Sequence, residues 1–261
     1  MYNGFMGIVN IDLRRISEQS VAFRKDKAVF RDGDKLIKLF DNNYSKSNVL
    51  NEAINQSRVE ETGLNIPKIR EVRLIDGKWA IVMDFVEGVT LEKLMTANPD
   101  KIDEYMSLFV SIQRDIHSRK HMLLTKYKDK LVMKILNSGL DASARYDLSL
   151  RLSAMPKGTN VCHGDFNPSN VIISNDGTAF IIDWSHASQG NFVADVAKSY
   201  LLFKLSGEDV RAEKYLDEYC KVAKITREEV FKWIPLVSAA QLVKAEGEKR
   251  EQFLKWIEEA E

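Results

Sequence analysis

The sequence predicts an α+β fold in which a β-rich N-terminal part precedes a mainly helical remainder. Up to about residue 86, short apolar runs alternate with turn residues such as the pair Asp76-Gly77, a pattern typical of antiparallel strands. From Thr90 onward, apolar residues recur at intervals of three and four, which is typical of amphipathic helices. The change between these patterns predicts two lobes, residues 1–86 and residues 87–261.

The N-terminal lobe is predicted to contain an antiparallel meander. Its strands are expected at residues 8–11, 21–24, 28–31, 35–40, 72–75 and 79–83. Alternation along residues 35–40 places Leu36, Lys38 and Phe40 on one face of the sheet, with Ile37 and Leu39 on the other. A lysine between apolar neighbours must leave the core or find a partner, because an unpaired buried charge is costly.

The helices are predicted from their apolar stripes and from their start and stop residues. A helix at residues 43–63 carries apolar residues at Val49, Leu50, Ala53, Ile54 and Val59, and it ends at Gly63. Thr90 is the expected N-cap of the next helix. A later core stripe comprises Tyr105, Leu108, Phe109, Ile112 and Ile116. After a loop at residues 186–191, helices are expected at residues 192–205, 209–223, 227–242 and 244–260.

Composition narrows the classes of partner. The 261 residues carry no net charge, whereas a dedicated nucleic-acid or membrane-surface binder normally has a basic excess, so we expect small-molecule partners. Cys162 and Cys220 lie far apart and are expected to be reduced and buried, and His117 and His121 lack a third metal ligand. Because the sequence contains neither a long apolar run nor a signal-peptide pattern, we expect a cytoplasmic protein without membrane or nucleic-acid partners. The oligomeric state is left open.

One stretch combines chemically active side chains with short apolar runs. His163, Asp165, Asn170 and Asp183 are flanked by residues that form predicted strands, so they should lie on loops at strand ends. Asp165 and Asn170 are five apart, as in the phosphoryl-transfer loop H-R-D-L-x-x-x-N, and a further Asp follows one strand and a turn later. Asp165 can accept a hydroxyl proton, and Asn170 and Asp183 supply the oxygen ligands that Mg²⁺ prefers.

The sequence HGDFNPSN at residues 163–170, followed by IIDW at residues 181–184, resembles the aminoglycoside phosphotransferase and choline kinase superfamily. The resemblance implies a two-lobed protein-kinase-like fold. It also implies transfer of the ATP γ-phosphate, with Mg²⁺, to a hydroxyl of a small molecule such as an aminoglycoside-, choline- or sugar-like acceptor. Protein kinases have Arg where this chain has Gly164, and Phe-Gly where it has Trp184-Ser185.

The resemblance also implies the residues that bind the nucleotide. Lys38 would hold the α- and β-phosphates, and Glu52 would pair with Lys38. The segment at residues 15–20 takes the place of a glycine-rich phosphate loop but contains no glycine, so the hydroxyls of Ser17 and Ser20 are the expected donors there.

A hinge is implied where the strand at residues 79–83 gives way to Gly88 and a helical pattern. The adenine ring would contact the carbonyl of Asp84 and the amide of Val86, and Met83 would line the back of its pocket. In the helix at residues 192–205, Asp195 resembles the aspartate that braces the catalytic loop through hydrogen bonds.

Two alternatives remain open at the level of sequence. The glycine-free loop favours a nucleotide-binding regulator without turnover, whereas the presence of Lys38, Asp165, Asn170 and Asp183 together favours an enzyme. An atypical protein kinase is the other alternative, and the missing Arg, Phe-Gly and Ala-Pro-Glu motifs count against it.

Overall fold

The computed structural model describes residues 27–259 and the backbone of residues 20–24. The strand expected at residues 8–11 and the predicted phosphate ligand Ser17 lie outside the described residues, as does the side chain of Ser20. Two compact units are formed. One contains the described chain up to Ile54 together with Pro67–Val86, and the other contains Asn55–Ile66 together with the described chain from Glu87 onward.

The first unit is built on an antiparallel five-stranded sheet with the strand order β1-β2-β3-β5-β4. Its elements are β1 (Ser20–Arg24), β2 (Lys27–Asp32), β3 (Lys35–Phe40), helix α1 (Lys46–Glu60), β4 (Ile69–Ile75) and β5 (Lys78–Asp84). Ile37 and Leu39 pack on one face of the sheet, while Phe40 packs on the other against Val49 and Ala53 of α1. The alternation predicted for residues 35–40 is therefore confirmed.

Turn chemistry accounts for the hairpin between β4 and β5. Asp76 and Gly77 both have positive φ values, 47° and 79°, as a two-residue turn with the twist of a hairpin requires. Gly63, with φ of 77°, follows the last turn of α1, and its amide donates to the carbonyl of Glu60. The stripe expected along α1 is partly wrong, because Ile54 is 46% exposed and the buried face consists of Val49, Ala53 and Val59.

The second unit consists mainly of helices, with short strands that position its loops. Its elements in chain order are β6 (Gly88–Thr90), α2 (Leu91–Ala97), α3 (Ile102–Ser118), α4 (Tyr127–Leu136), α5 (Ala142–Ala154), β7 (Asn160–Cys162), β8 (Val171–Ser174), β9 (Ala179–Ile181), β10 (Ser188–Gly190), α6 (Phe192–Leu205), α7 (Asp209–Ala223), α8 (Arg227–Phe231), α9 (Ile234–Gln241) and α10 (Gly247–Glu258). The predicted α+β class is confirmed. Thr90 is the N-cap of α2, since its hydroxyl accepts from the amide of Lys93.

The core of this unit is centred on aromatic rings around α3. The ring of Phe109 stacks on that of Phe166 at a centroid distance of 4.4 Å and meets the edges of Phe203 and Tyr215. Cys162 and Cys220 are free and buried, as expected. Within the described ranges, no helix is both long and apolar enough to cross a membrane.

Three sequence expectations are wrong in this unit. The stripe of α3 is displaced, because Leu108 is 37% exposed while Met106, Val110 and Gln113 are buried. Residues 186–191 were expected to be a loop, but β10 lies within them and pairs with β7. The helix expected at residues 227–242 is two helices, with Pro235 in the first turn of α9, where its missing N–H costs nothing.

We predict that the displaced stripe of α3 determines the energetic weight of its residues. Phe109→Ala should lower the free energy of unfolding by about 3–5 kcal/mol, because it leaves a cavity among packed rings. The adjacent change Leu108→Ala should stay within about 0.5 kcal/mol of wild type, because its side chain is largely solvated. Urea denaturation followed by circular dichroism measures both, and equal losses at the two positions would contradict the observed orientation of α3.

Candidate active site

The loop after β7 carries the predicted base Asp165. Its turn is stabilised by Asn167, whose Oδ1 accepts from the amide of Ser169 at 3.0 Å and caps a short 3₁₀ helix, Pro168–Asn170. The amide nitrogen of Asn170 donates to the carbonyl of Asp165 at 2.9 Å and to its Oδ2 at 3.4 Å. The Asp165 carboxylate is therefore oriented by the side chain five residues later, which is itself buried.

Strand register brings Asp183 to the same place. Val171 of β8 pairs with Ile181 of β9, and the amide of Ile182 donates to the carbonyl of Asn170 at 3.0 Å. Asp183 follows directly, in the left-handed region with φ of 65° and ψ of 60°. A non-glycine residue held in this region is strained, and such strain is concentrated at functional sites. Asp165, Asn170 and Asp183 thus meet at one end of the β8–β9 ladder.

His163 links the two halves of this arrangement. Its Nδ1 accepts from the amide of Asp165 at 3.2 Å, and its Nε2 donates to the carbonyl of Ile182 at 3.0 Å, a pattern that assigns the Nε2–H tautomer. The ring packs on Trp184, with centroids 4.5 Å apart. The histidine of the motif is thus a fully buried positioning residue, and its two ring nitrogens hold the backbone on either side of the site.

Asp195 of α6 braces the loop, as the resemblance implied. Its Oδ2 accepts from the amide of His163 at 2.9 Å and from Nε2 of His117 at 3.0 Å, and its Oδ1 accepts from the amide of Gly164 at 2.7 Å. Burial alone would raise the pKa of Asp195, but the hydrogen bond and charge of His117, the charge of His163 and the amide of Gly164 outweigh it, so this pKa lies below its usual value. The tyrosine hydroxyl of Tyr219 meets the other ring nitrogen of His117 at 2.6 Å.

Gly164 is required by both conformation and space. Its φ is 80°, and a Cβ built on it would lie 2.8 Å from the carbonyl oxygen of His186 and 2.9 Å from the Cβ of His186. Backbone contact at that distance leaves no room for a side chain. This explains in physical terms why the arginine of the protein-kinase motif has no counterpart here.

Burial sets the electrostatics of Asp165. It raises the pKa of this carboxyl, with the charges of Lys198 and His163 and the hydrogen bond from Asn170 acting in the opposite direction and Asp183 adding to the rise. A carboxylate whose proton affinity is raised while it stays oriented is suited to accept a proton during catalysis. Lys198, on α6 one turn after Asp195, was missed by the sequence analysis, although it is a lone buried cation among apolar residues of that helix.

In the first unit, Lys38 and Glu52 form the expected pair. The ammonium of Lys38 donates to Oε1 of Glu52, and both side chains are almost completely buried. Lys27, on the neighbouring strand, lies 3.9 Å from Oε2 of the same glutamate, and the sequence analysis did not single it out. Two lysines thus point to one face of the sheet, where Met83 is also buried.

The hinge residues also belong to the first unit. The amide of Asp84 donates to the carbonyl of Lys68 and the amide of Phe85 to the carbonyl of Asp34, so successive amides point to opposite sides of the chain. The carboxylate of Asp84 accepts from Arg70 at 2.7 Å. Val86, half-buried, ends this segment. The predicted roles of Met83, Asp84 and Val86 depend on backbone and shape, and they stay predictions.

The donor set of the second unit fits Mg²⁺. Asn170 commits its amide nitrogen to Asp165, which leaves its Oδ1 as the oxygen that can bind a cation, and Asp183 adds a carboxylate. One carboxylate and one amide oxygen suffice for this ion, because Mg²⁺ keeps several waters and phosphate oxygens in its shell. Within the described ranges, no group of three or more His, Cys, Asp or Glu side chains forms a separate metal site.

Solved structures with the same fold include phosphotransferases for two kinds of substrate. A thermostable mutant of aminoglycoside phosphotransferase APH(4)-Ia, in a ternary complex with AMP-PNP and hygromycin B, matches with a TM-score of 0.67 and 14% identity, covering 93% of this chain and 92% of that chain. Choline kinase LicA from Streptococcus pneumoniae matches with a TM-score of 0.62 and 17% identity, covering 94% and 97%. A choline/ethanolamine kinase family protein from Mesorhizobium loti matches with a TM-score of 0.59 and 14% identity, covering 93% and 86%. At these identities the likeness shows the kinase-like fold alone.

A comparison with curated proteins found no significant match. The family comparison is decisive, because the sequence model of the phosphotransferase enzyme family APH matches residues 16–233, which is most of the chain and includes the whole loop from His163 to Asp183. The chain therefore belongs to the APH phosphotransferase enzyme family, and it is a small-molecule phosphotransferase with an alcohol group as acceptor.

Proposed function

We propose that this phosphotransferase uses ATP and Mg²⁺ and moves the γ-phosphate to a hydroxyl group of a small molecule. The observation that carries the proposal is the convergence of Asp165, Asn170 and Asp183 at the end of the β8–β9 ladder. A proton acceptor and two oxygen ligands for a cation are the side chains that phosphoryl transfer requires.

Asp165 acts as the base. Its carboxylate accepts the proton of the acceptor hydroxyl while the hydroxyl oxygen forms a bond to the γ-phosphorus, and the bond from that phosphorus to the β–γ bridging oxygen breaks to release ADP. Asn170 keeps the carboxylate oriented through its donated hydrogen bonds, and His163 and Asp195 keep the loop backbone in place. Catalysis is then mainly positioning and charge stabilisation.

Asn170 and Asp183 would hold Mg²⁺, which supplies neutralisation of phosphate charge when bound. The left-handed backbone of Asp183 fixes the direction in which its carboxylate leaves the ladder, and Ser185 donates to its Oδ1 at 3.2 Å. Because the ladder ends at these two residues, their relative position does not depend on a long flexible loop.

The lobe of residues 1–86 binds the nucleotide in this proposal. Lys38 contacts the α- and β-phosphates and Glu52 positions it, with Lys27 adding positive charge on the same face of the sheet. Met83, the carbonyl of Asp84 and the amide of Val86 receive the adenine ring. Ser17 and Ser20 remain the proposed phosphate donors of the glycine-free loop.

We predict that Asp165→Asn lowers kcat by at least ~10²-fold, the usual contribution of a general base, while ATP affinity changes little. ATP consumption measured across a panel of hydroxyl compounds, with mass spectrometry of the product, tests this. Asp147→Asn on the surface of α5 makes the same chemical change at an exposed carboxylate and should leave kcat unaltered. More than half of the wild-type kcat in Asp165→Asn would remove this residue from the mechanism. ATP binding without turnover on any acceptor would favour the regulator instead.

We also predict that the Lys38 and Glu52 pair behaves as a lysine and its positioning residue. Lys38→Ala should reduce kcat/KM for ATP more than Glu52→Ala, and the double variant should resemble Lys38→Ala, because a positioning residue has no effect once its target is gone. The exposed pair of Lys78 and Asp41, 3.6 Å apart, is the control, and its losses should be small and additive. Simple additivity of two large losses at Lys38 and Glu52 would refute the pairing.

A further inference from the structure

Lysines are concentrated next to the catalytic loop. Lys130 and Lys134 lie one turn apart on the same face of α4. The ammonium of Lys130 donates to the carbonyls of Ala187 at 2.6 Å and His186 at 3.3 Å. The carbonyl of His186 is also the atom that a Cβ on Gly164 would meet at 2.8 Å. Lys130 is therefore tied to the backbone beside the loop, and Lys134 follows one turn further along.

Lys198 reaches the loop from α6. It follows Asp195, which binds the amides of His163 and Gly164, by one helical turn, and its neighbour Ser199 donates to the carbonyl of Phe166 at 2.8 Å. Lys198 is only 5% exposed, and among residues 27–259 its ammonium makes no hydrogen bond or ion pair. Burial lowers its pKa to about 8, with Asp165 and Asp195 acting in the opposite direction. A buried ammonium without an anionic partner is costly, and a bound anion would offset that cost.

The charges around Asp165 do not balance. Burial lowers the pKa of Lys134, Lys244 beyond the end of α9 lowers it further, and Asp165 acts in the opposite direction. Lys134 in turn acts on Lys198. Three lysines that are not tied to carbonyls, Lys134, Lys198 and Lys244, thus share a region with one base, and Asp183 is committed to the metal in the proposed function. A cationic acceptor would be repelled there, whereas an anionic one would be attracted.

We propose that the acceptor carries an anionic group, a phosphate or a carboxylate, in addition to its reacting hydroxyl, and that Lys134, Lys198 and Lys244 bind this group. Acceptors of this class are sugar phosphates and hydroxy or sugar acids, and cationic aminoglycosides and choline are excluded. The inference rests on the proposed function, because it takes Asp165 as the base that receives the hydroxyl proton. The nucleotide phosphates are assigned to Lys38 in the other unit.

The test is calorimetric titration of the full chain saturated with AMP-PNP and Mg²⁺, so that the nucleotide phosphates are already in place. The probes are glucose, gluconate and glucose 6-phosphate, which share hydroxyl groups and differ in charge, with kanamycin and choline as cationic probes. We expect gluconate or glucose 6-phosphate to bind at least ~10-fold more tightly than glucose, since a charge-assisted hydrogen bond contributes about that factor. Which of the two binds more tightly separates carboxylate from phosphate recognition.

Variants assign the binding to the lysines. Lys134→Gln and Lys244→Gln should each weaken binding of the anionic probe by about tenfold while AMP-PNP affinity is retained. Lys198→Gln should do the same, and Lys244, which is exposed, keeps the test valid if the buried substitution prevents folding. Lys249→Gln, exposed on α10, is the matched control and should bind as wild type.

Each outcome decides between the two proposals. Failure to bind AMP-PNP with Mg²⁺ would overturn the proposed function. Nucleotide binding without a preference for the anionic probes, tighter binding of kanamycin or choline, or an equal effect of Lys249→Gln would overturn the anionic acceptor and leave the proposed function standing.

Discussion

The carboxylate of Asp195 is the interaction on which the site depends. It accepts three hydrogen bonds, from the amides of His163 and Gly164 and from His117, and it is completely buried. Backbone amides of a tight turn have no strand or helix partner of their own, so a buried turn must be satisfied by side chains. Asp195 supplies both acceptors from a helix. The conformation of the loop is thereby fixed by a rigid element and not by the loop itself.

From this anchor the constraints extend outward in order. With its amide held, Gly164 takes a left-handed conformation against the carbonyl of His186, and the chain then presents Asp165 to solvent on one side and Phe166 to the core on the other. His163 fixes the amide of Asp165 and the carbonyl of Ile182 together. The base and the cation ligands therefore keep their separation because one imidazole spans the two segments, which is the preorganisation that phosphoryl transfer needs.

Much of this could be predicted from local sequence, and the failures share one cause. The Asp-Gly hairpin, the alternation around Lys38 and the HGDFNPSN loop depend on neighbours in the chain. Strand β10 has no alternating pattern, and it forms because its backbone pairs with β7, a contact that sequence periodicity does not report. Lys198 was overlooked for a similar reason, since its meaning comes from packing against a loop some thirty residues earlier. The break before α9 was readable, because Pro235 interrupts the helical pattern.

The most direct measurement of the central claim is amide hydrogen exchange in Asp195→Asn. An asparagine keeps the size of the side chain but retains only one accepting oxygen, so one loop amide loses its partner. The account predicts that exchange protection at His163 or Gly164 falls by ~10-fold or more, the equivalent of a hydrogen bond to a charged group, while amides of β8 keep theirs. Unchanged protection of both loop amides in the folded variant would show that something other than Asp195 holds the loop.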